Sequence, residues 1–345
     1  MEKRFGSVKE NGWLYVFEHL VDAFKWPLIA VAAALLISAP RFGFMTPANM
    51  RIAIMIILYA MLGMGLNVLT GYAGLVSLGH AGFYGIGAYT CALAMTKLGW
   101  SFWPSLLAAG VLAALVGFLL GLPTLRLSGT YLSIVTLGFC EIVQMILKQW
   151  ESVTNGNYGI RNIPKPYLFG MKLDMKNGGV FYLALTLCVL TGLACLAIKD
   201  DELAATMMGI RTSRYKILAF VISAFITGLG GAVYSVVANG FIEPGGFVFN
   251  TSILIVSVVI VGGLGTIRGM VFGSALLWLF PQVFRFLNEW RFVIYGVLLV
   301  LMMQFRPQGA LGWQSTLPFR LSGETRKLLR ERGLEKYIPN RGGEG

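Results

Sequence analysis

The chain has 345 residues, of which 56% are hydrophobic and only 13% charged, and its mean hydropathy is +0.71. So little charge excludes an ordinary soluble domain and places the chain among polytopic membrane proteins. The net charge of +12 does not signal nucleic-acid binding, because the bases gather at the margins of apolar runs instead of forming a continuous polar stripe.

Residues 1–25 form a polar N-terminal segment, MEKRFGSVKENGWLYVFEHLVDAFK. The first apolar run begins only near Trp26, and no small-residue cleavage pattern precedes polar sequence, so no signal peptide is expected. A membrane helix needs about 20 apolar residues to cross about 30 Å of hydrocarbon. Ten apolar runs follow: Pro27 to Phe44, Ile52 to Leu69, His80 to Met95, Phe102 to Leu122, Tyr131 to Leu147, Val180 to Ile198, Ile217 to Ala238, Thr251 to Gly263, Met270 to Leu287 and Phe292 to Phe305. The expected fold is therefore all-α and polytopic, with eight to ten membrane helices across residues 26–305 and a basic tail over 306–345.

Ten crossings put both termini on one side, together with the polar loop 199–216, and put 148–179 and 239–250 on the other. The tail after Phe305 holds eight Lys or Arg against four Glu, which assigns its side to the cytoplasm. The runs His80 to Met95 and Thr251 to Gly263 are short, and each adjoins a glycine cluster, Gly71 to Gly87 or Gly262 to Gly273. Glycine lets membrane helices approach closely and also permits broken or re-entrant segments beside a pathway. A loose likeness between the two clusters hints at an internal repeat.

Within the apolar runs, the ionisable candidates are few. Glu141 has Gln144 one turn on and on the same face, and His80 opens its own run. Arg126 and Arg268 lie in short junctions from which they can snorkel. Ser77, His80, Glu141, Gln144, Gly263 and Gly265 are the candidates for a substrate path. Cys91, Cys140, Cys188 and Cys195 all sit in apolar sequence without a CxxC, and with two histidines no metal framework is expected. The chain contains no GxxxxGK[ST] phosphate loop, and Gly82 to Gly87 lacks the preceding strand and the following acid of a dinucleotide site. No nucleophile, base and acid set is credible, so neither catalysis nor a bound cofactor is expected.

The segment 199–216, KDDELAATMMGIRTSRYK, is the densest in charge between two apolar runs. Asp200, Asp201 and Glu202 open it, Leu203, Met207 and Ile210 form an apolar strip, and Arg211, Arg214 and Lys216 close it. Acids first and bases last suit a short separate helix, which Gly209 is placed to end.

These residues resemble the permease subunits of ABC importers for branched-chain amino acids, of the LivM type. The resemblance runs from about Leu66 to Trp313. It rests on LNVLTGYAGLVSLGHAGFYGIGAYT (66–90), LPTLRLSGTYLSIVTLGFCEIVQ (122–144), NGNYGIRNIP (155–164), DDELAATMMGIRTSRYKILAFVISAF (200–225), VIVGGLGTIRGMVFGSALL (259–277) and FRPQGALGW (305–313), in that order. It implies half of a translocation pore in the inner membrane, paired with a second, LivH-like permease. Two cytoplasmic ATPases of the LivG and LivF kind would bind ATP and magnesium, and a periplasmic binding protein would deliver substrate.

Asp200, Asp201, Glu202, Leu203, Ala204, Ala205, Met207, Gly209 and Ile210 are similar to the importer helix that docks on an ATPase. Its Ala-Ala-x-x-x-Gly core is Ala204, Ala205 and Gly209. Two features depart from the pattern: Leu203 replaces the acid before the alanine pair, and the apolar run to Ile198 meets Asp200 almost directly. Related permeases carry urea, amides or aromatic and other organic acids. A different class, an ion-coupled carrier using Glu141 and His80, is the alternative reading.

Overall fold

Inside an apolar layer each backbone N–H and C=O must find a partner within the chain, which leaves the helix as the default for such runs. The computed structural model follows this rule over residues 46–310, apart from 125–128, 169–170, 175–177, 208–211, 239, 284–289 and 306–308. The expected run Pro27 to Phe44, the segment 1–25 and the tail beyond Ala310 lie outside the described residues.

Helix α1 spans Pro47–Asn67, with Thr46 as its cap: the Thr46 hydroxyl accepts the Asn49 N–H at 3.4 Å, and Pro47 takes the first helical position. A π-turn, Val68–Tyr72, ends it, and an extended stretch leads to α2 at His80–Thr96. Then come α3 at Phe102–Thr124, α4 at Thr130–Gln149, α5 at Gly179–Met207, α6 at Thr212–Val237, α7 at Phe249–Gly262, α8 at Ile267–Val283 and α9 at Arg291–Phe305. The loop after α4 adds a small antiparallel hairpin, β1 Tyr167–Leu168 with β2 Met171–Lys172. Among the described residues, four stretches are long and apolar enough to cross a membrane, by length and composition: Ala48–Tyr72, Phe102–Thr124, Tyr131–Gln149 and Tyr215–Val237.

The loops after α2, α4 and α6 meet at one end of the bundle. Ile160 and Ile242 exchange backbone hydrogen bonds at 2.9 and 3.0 Å, Lys97 Nζ donates to the Ser152 carbonyl, and Trp103 Nε1 donates to the Tyr167 carbonyl. Helix α5 runs away from this end and α6 runs back toward it. Helix α6 packs most extensively on α3 and α2, and glycines set the spacing. A Cβ on Gly87 would meet the Gly228 backbone, and one on Gly231 would meet Tyr84 and Ala88. Close approach therefore explains much of the glycine content.

One expectation is corrected. The segment after Ile198 is not a separate short helix: α5 continues without interruption from Gly179 through Asp200, Ala204 and Ala205 to Met207. Sequence explains why, since no Gly or Pro falls between Gly192 and Gly209 and the intervening residues are mostly good helix formers. Charge alone does not stop a helix. Arg214 and Lys216 consequently stand in the first turns of α6 and not at the end of a docking helix. Gly209 and Ile210 fall outside the described residues.

Candidate functional site

The short run at His80 is a real helix break. His80 lies beside Ser223, eleven residues into α6, and Gly79 packs on Thr136, six residues into α4. Helix α2 thus begins about 9 Å inside the end where α4 starts. The extended stretch that replaces its missing turns, from Gly74 (φ 65°) to Gly79, is satisfied by side chains from neighbouring helices. Leu78 N–H donates to Thr136 Oγ1 at 3.0 Å, Ala81 N–H to Ser252 Oγ at 3.0 Å, and Ser133 Oγ to the Val76 carbonyl at 3.0 Å.

His80 is fully buried between two serines. Its Nε2 is 2.7 Å from Ser223 Oγ, whose own proton goes to the Gly65 carbonyl at 2.6 Å, and its Nδ1 is 3.1 Å from Ser77 Oγ. Since Ser223 spends its proton on Gly65, it must accept from Nε2–H. That leaves Nδ1 as the acceptor of the Ser77 hydroxyl, which in turn accepts from Gly79 N–H at 3.3 Å. One neutral tautomer satisfies the whole chain, and it ties α1, α2 and α6 together. The structure pairs His80 with Ser77 and Ser223, not with Glu141.

Gly263 and Gly265 occupy the turn between α7 and α8 with φ of 117° and 76°, a region that favours glycine. Asn67, at the end of α1, reaches across with Oδ1 to accept the Gly265 N–H at 2.8 Å. Gly309 lies against Gly263, and the Ala310 N–H donates to the Val261 carbonyl at 2.8 Å. A Cβ on Gly71 would meet Asn67 and Gly265, so the two glycine clusters converge here.

Glu141 and Gln144 stand elsewhere, on α4, of whose span only 33% is buried. Glu141 is exposed, Gln144 is buried at 8% exposure, and Lys148 is half-buried. With its amide oriented to suit both neighbours, Gln144 donates to Glu141 Oε2 at 3.2 Å and accepts from Lys148 Nζ at 3.1 Å. The six path candidates therefore fall into three places: Ser77 with His80, Gly263 with Gly265, and Glu141 with Gln144. Thr136, Ser223, Ser252, Asn67 and Lys148 were not singled out by sequence reasoning. Only Lys148 had a signal there, its helical spacing from Glu141 and Gln144.

Among the described residues no group of acids, cysteines and histidines could hold a metal ion. A bundle of apolar helices that packs the intramembrane His80 between serines, and leaves a charged stripe on an outer helix, has the build of a membrane permease. The chain belongs to the family described as the permease component of branched-chain amino acid transport systems, whose profile matches residues 49–303. It is 38% identical over 313 residues to the high-affinity branched-chain amino acid transport permease LivM of Salmonella typhimurium, covering 81% of this chain and 73% of that one; LivM of Escherichia coli K12 gives the same figures. It is also 25% identical over 293 residues to LivH of E. coli K12, covering 74% of this chain and 91% of LivH. No solved structure matches. The protein is a multi-pass permease subunit of an ABC transport system in the inner membrane.

Proposed function

We propose that this chain forms one half of the pore of an ATP-driven importer for branched-chain or other hydrophobic amino acids. The similarity to LivM over most of the chain carries this reading, and the weaker likeness to LivH supports a homologous, LivH-like permease as the other half. Two ATPases of the LivG and LivF kind supply ATP hydrolysis with magnesium, and a periplasmic binding protein supplies substrate. Asp200 to Met207, helical at the end of the bundle opposite the loop cluster, is the ATPase-docking segment, with Gly209 and Ile210 following it. The ion-coupled alternative draws no support from His80, whose two ring nitrogens are both taken up by serines.

The test is reconstitution of the chain with its partner permease, ATPases and binding protein. ATP-dependent leucine uptake is expected. Uptake by this chain alone, driven by a proton gradient and indifferent to ATP, would overturn the proposal. Replacing Asp200 and Asp201 by Lys is expected to release the ATPases while the permease still inserts; co-purification at normal yield counts against the docking assignment.

A further inference from the structure

Glu141 sits near the middle of its span, ten residues from Tyr131 and eight from Gln149, which puts it about 12 Å from the α4 terminus. It is exposed, and so are Ile134, Ile142, Met145 and Ile146 around it. Gly138, one turn earlier, has open space where a side chain would lie. A carboxylate at that depth is poorly tolerated against acyl chains; such groups face a bundle interior or a water-filled cavity. Among the described residues Glu141 meets no cation directly, only the Gln144 amide, which passes the contact on to Lys148 near the helix end. The stripe therefore presents a negative group, a neutral amide and a positive group in order along one edge of α4.

We propose that the Glu141–Gln144–Lys148 edge of α4 is a wall of the aqueous translocation pathway, completed by the partner permease, and that Glu141 receives the α-ammonium of the passing amino acid. The substrate part rests on the function proposed above. Gln144 already fills the gap between Glu141 and Lys148, so the two charges act in turn along the path, Lys148 on the carboxylate and Glu141 on the ammonium. Gln144 holds both side chains against the helix and keeps them from closing on each other. The mixed signs matter chemically: a path with one sign alone would retain one end of a zwitterion and repel the other.

The experiment uses the full complex in lipid vesicles, with the four native cysteines replaced by Ala. Glu141→Cys is compared with Leu190→Cys on the exposed side of α5, 60% exposed and without a charged neighbour in its stretch of helix. A membrane-impermeant cationic thiosulfonate is expected to label Glu141→Cys at least tenfold faster than Leu190→Cys, and binding protein loaded with leucine should slow that labelling. In the otherwise native chain, Glu141→Gln is expected to lower leucine uptake at least tenfold with all subunits still assembled, and Glu141→Asp to restore part of it. Labelling no faster than at Leu190, or unchanged uptake by Glu141→Gln, overturns the proposal; loss of assembly in Glu141→Gln shows a packing role and overturns it too. Failure of the unaltered complex to take up leucine would remove only the substrate assignment, because the labelling comparison does not depend on it.

Discussion

Ser223→Ala removes the hinge-pin of the helix break. The substitution deletes two hydrogen bonds, from His80 Nε2 at 2.7 Å and to the Gly65 carbonyl at 2.6 Å, among groups sealed from solvent. Interhelical hydrogen bonds in membrane proteins average about 0.6 kcal/mol and reach about 1.7, so the pair contributes about 1–3 kcal/mol. Stranding a buried donor and a buried acceptor pushes the loss toward the upper end. For a protein of this size that corresponds to a drop in Tm of about 1.5–4 °C. The four described cysteines, all buried, supply the assay: a thiol-reactive dye follows unfolding of the detergent-purified subunit as they become exposed. Ser257→Ala is the control, since among the described residues that hydroxyl bonds only to the Ile253 carbonyl of its own helix, at 2.8 Å, and is expected to cost far less. His80→Gln, which can keep a donor toward Ser223, should be milder than His80→Ala. If Ser223→Ala unfolds within 1 °C of the unaltered protein, or Ser257→Ala loses as much, the assigned network is wrong.

Two glycines with opposite surroundings separate packing from flexibility. Gly87→Ala, whose new methyl would meet the Gly228 backbone, is expected to force α2 from α6 and cost about 1–3 kcal/mol, while Gly296→Ala, with open space around it, should be neutral or slightly stabilising in the same dye assay. Asn67→Ala leaves the Gly265 N–H without its acceptor, so hydrogen exchange across 263–267 should quicken several-fold while exchange in α6 is unchanged; equal protection in both proteins would remove Asn67 from its anchoring role.

Much of this was legible in the sequence. The apolar runs located the helices to within a few residues, because a chain in lipid has few alternatives. The shortness of the His80 run, with glycines before it, pointed to a break that the structure contains. What completes that break could not be read, since Ser223 lies 143 residues away and is one of several serines in apolar sequence. Asn67 gave no signal either: its partner is a backbone N–H in a turn 198 residues on. The boundary at Ile198 was misread for a different reason. A switch from apolar to charged residues marks where a helix leaves an apolar layer, whereas only backbone chemistry marks where it ends.

That uninterrupted α5 has a mechanical consequence. At 29 residues it is about 43 Å long, some 13 Å more than the hydrocarbon layer is thick. It bears on α1 through Thr191, Gly192 and Cys195, all gathered at Met64, with the Cys195 thiol 3.8 Å from the Met64 carbonyl. Met64 is the contact about which α5 would pivot, and the twelve residues beyond Cys195, up to Met207, form an arm of about 18 Å. A tilt of about 5° at the tip displaces Met207 by about 1.6 Å, with no joint along the arm to absorb it. The residue after Met64 is Gly65, which accepts from Ser223, so the base of the arm and the helix break meet within one turn of α1.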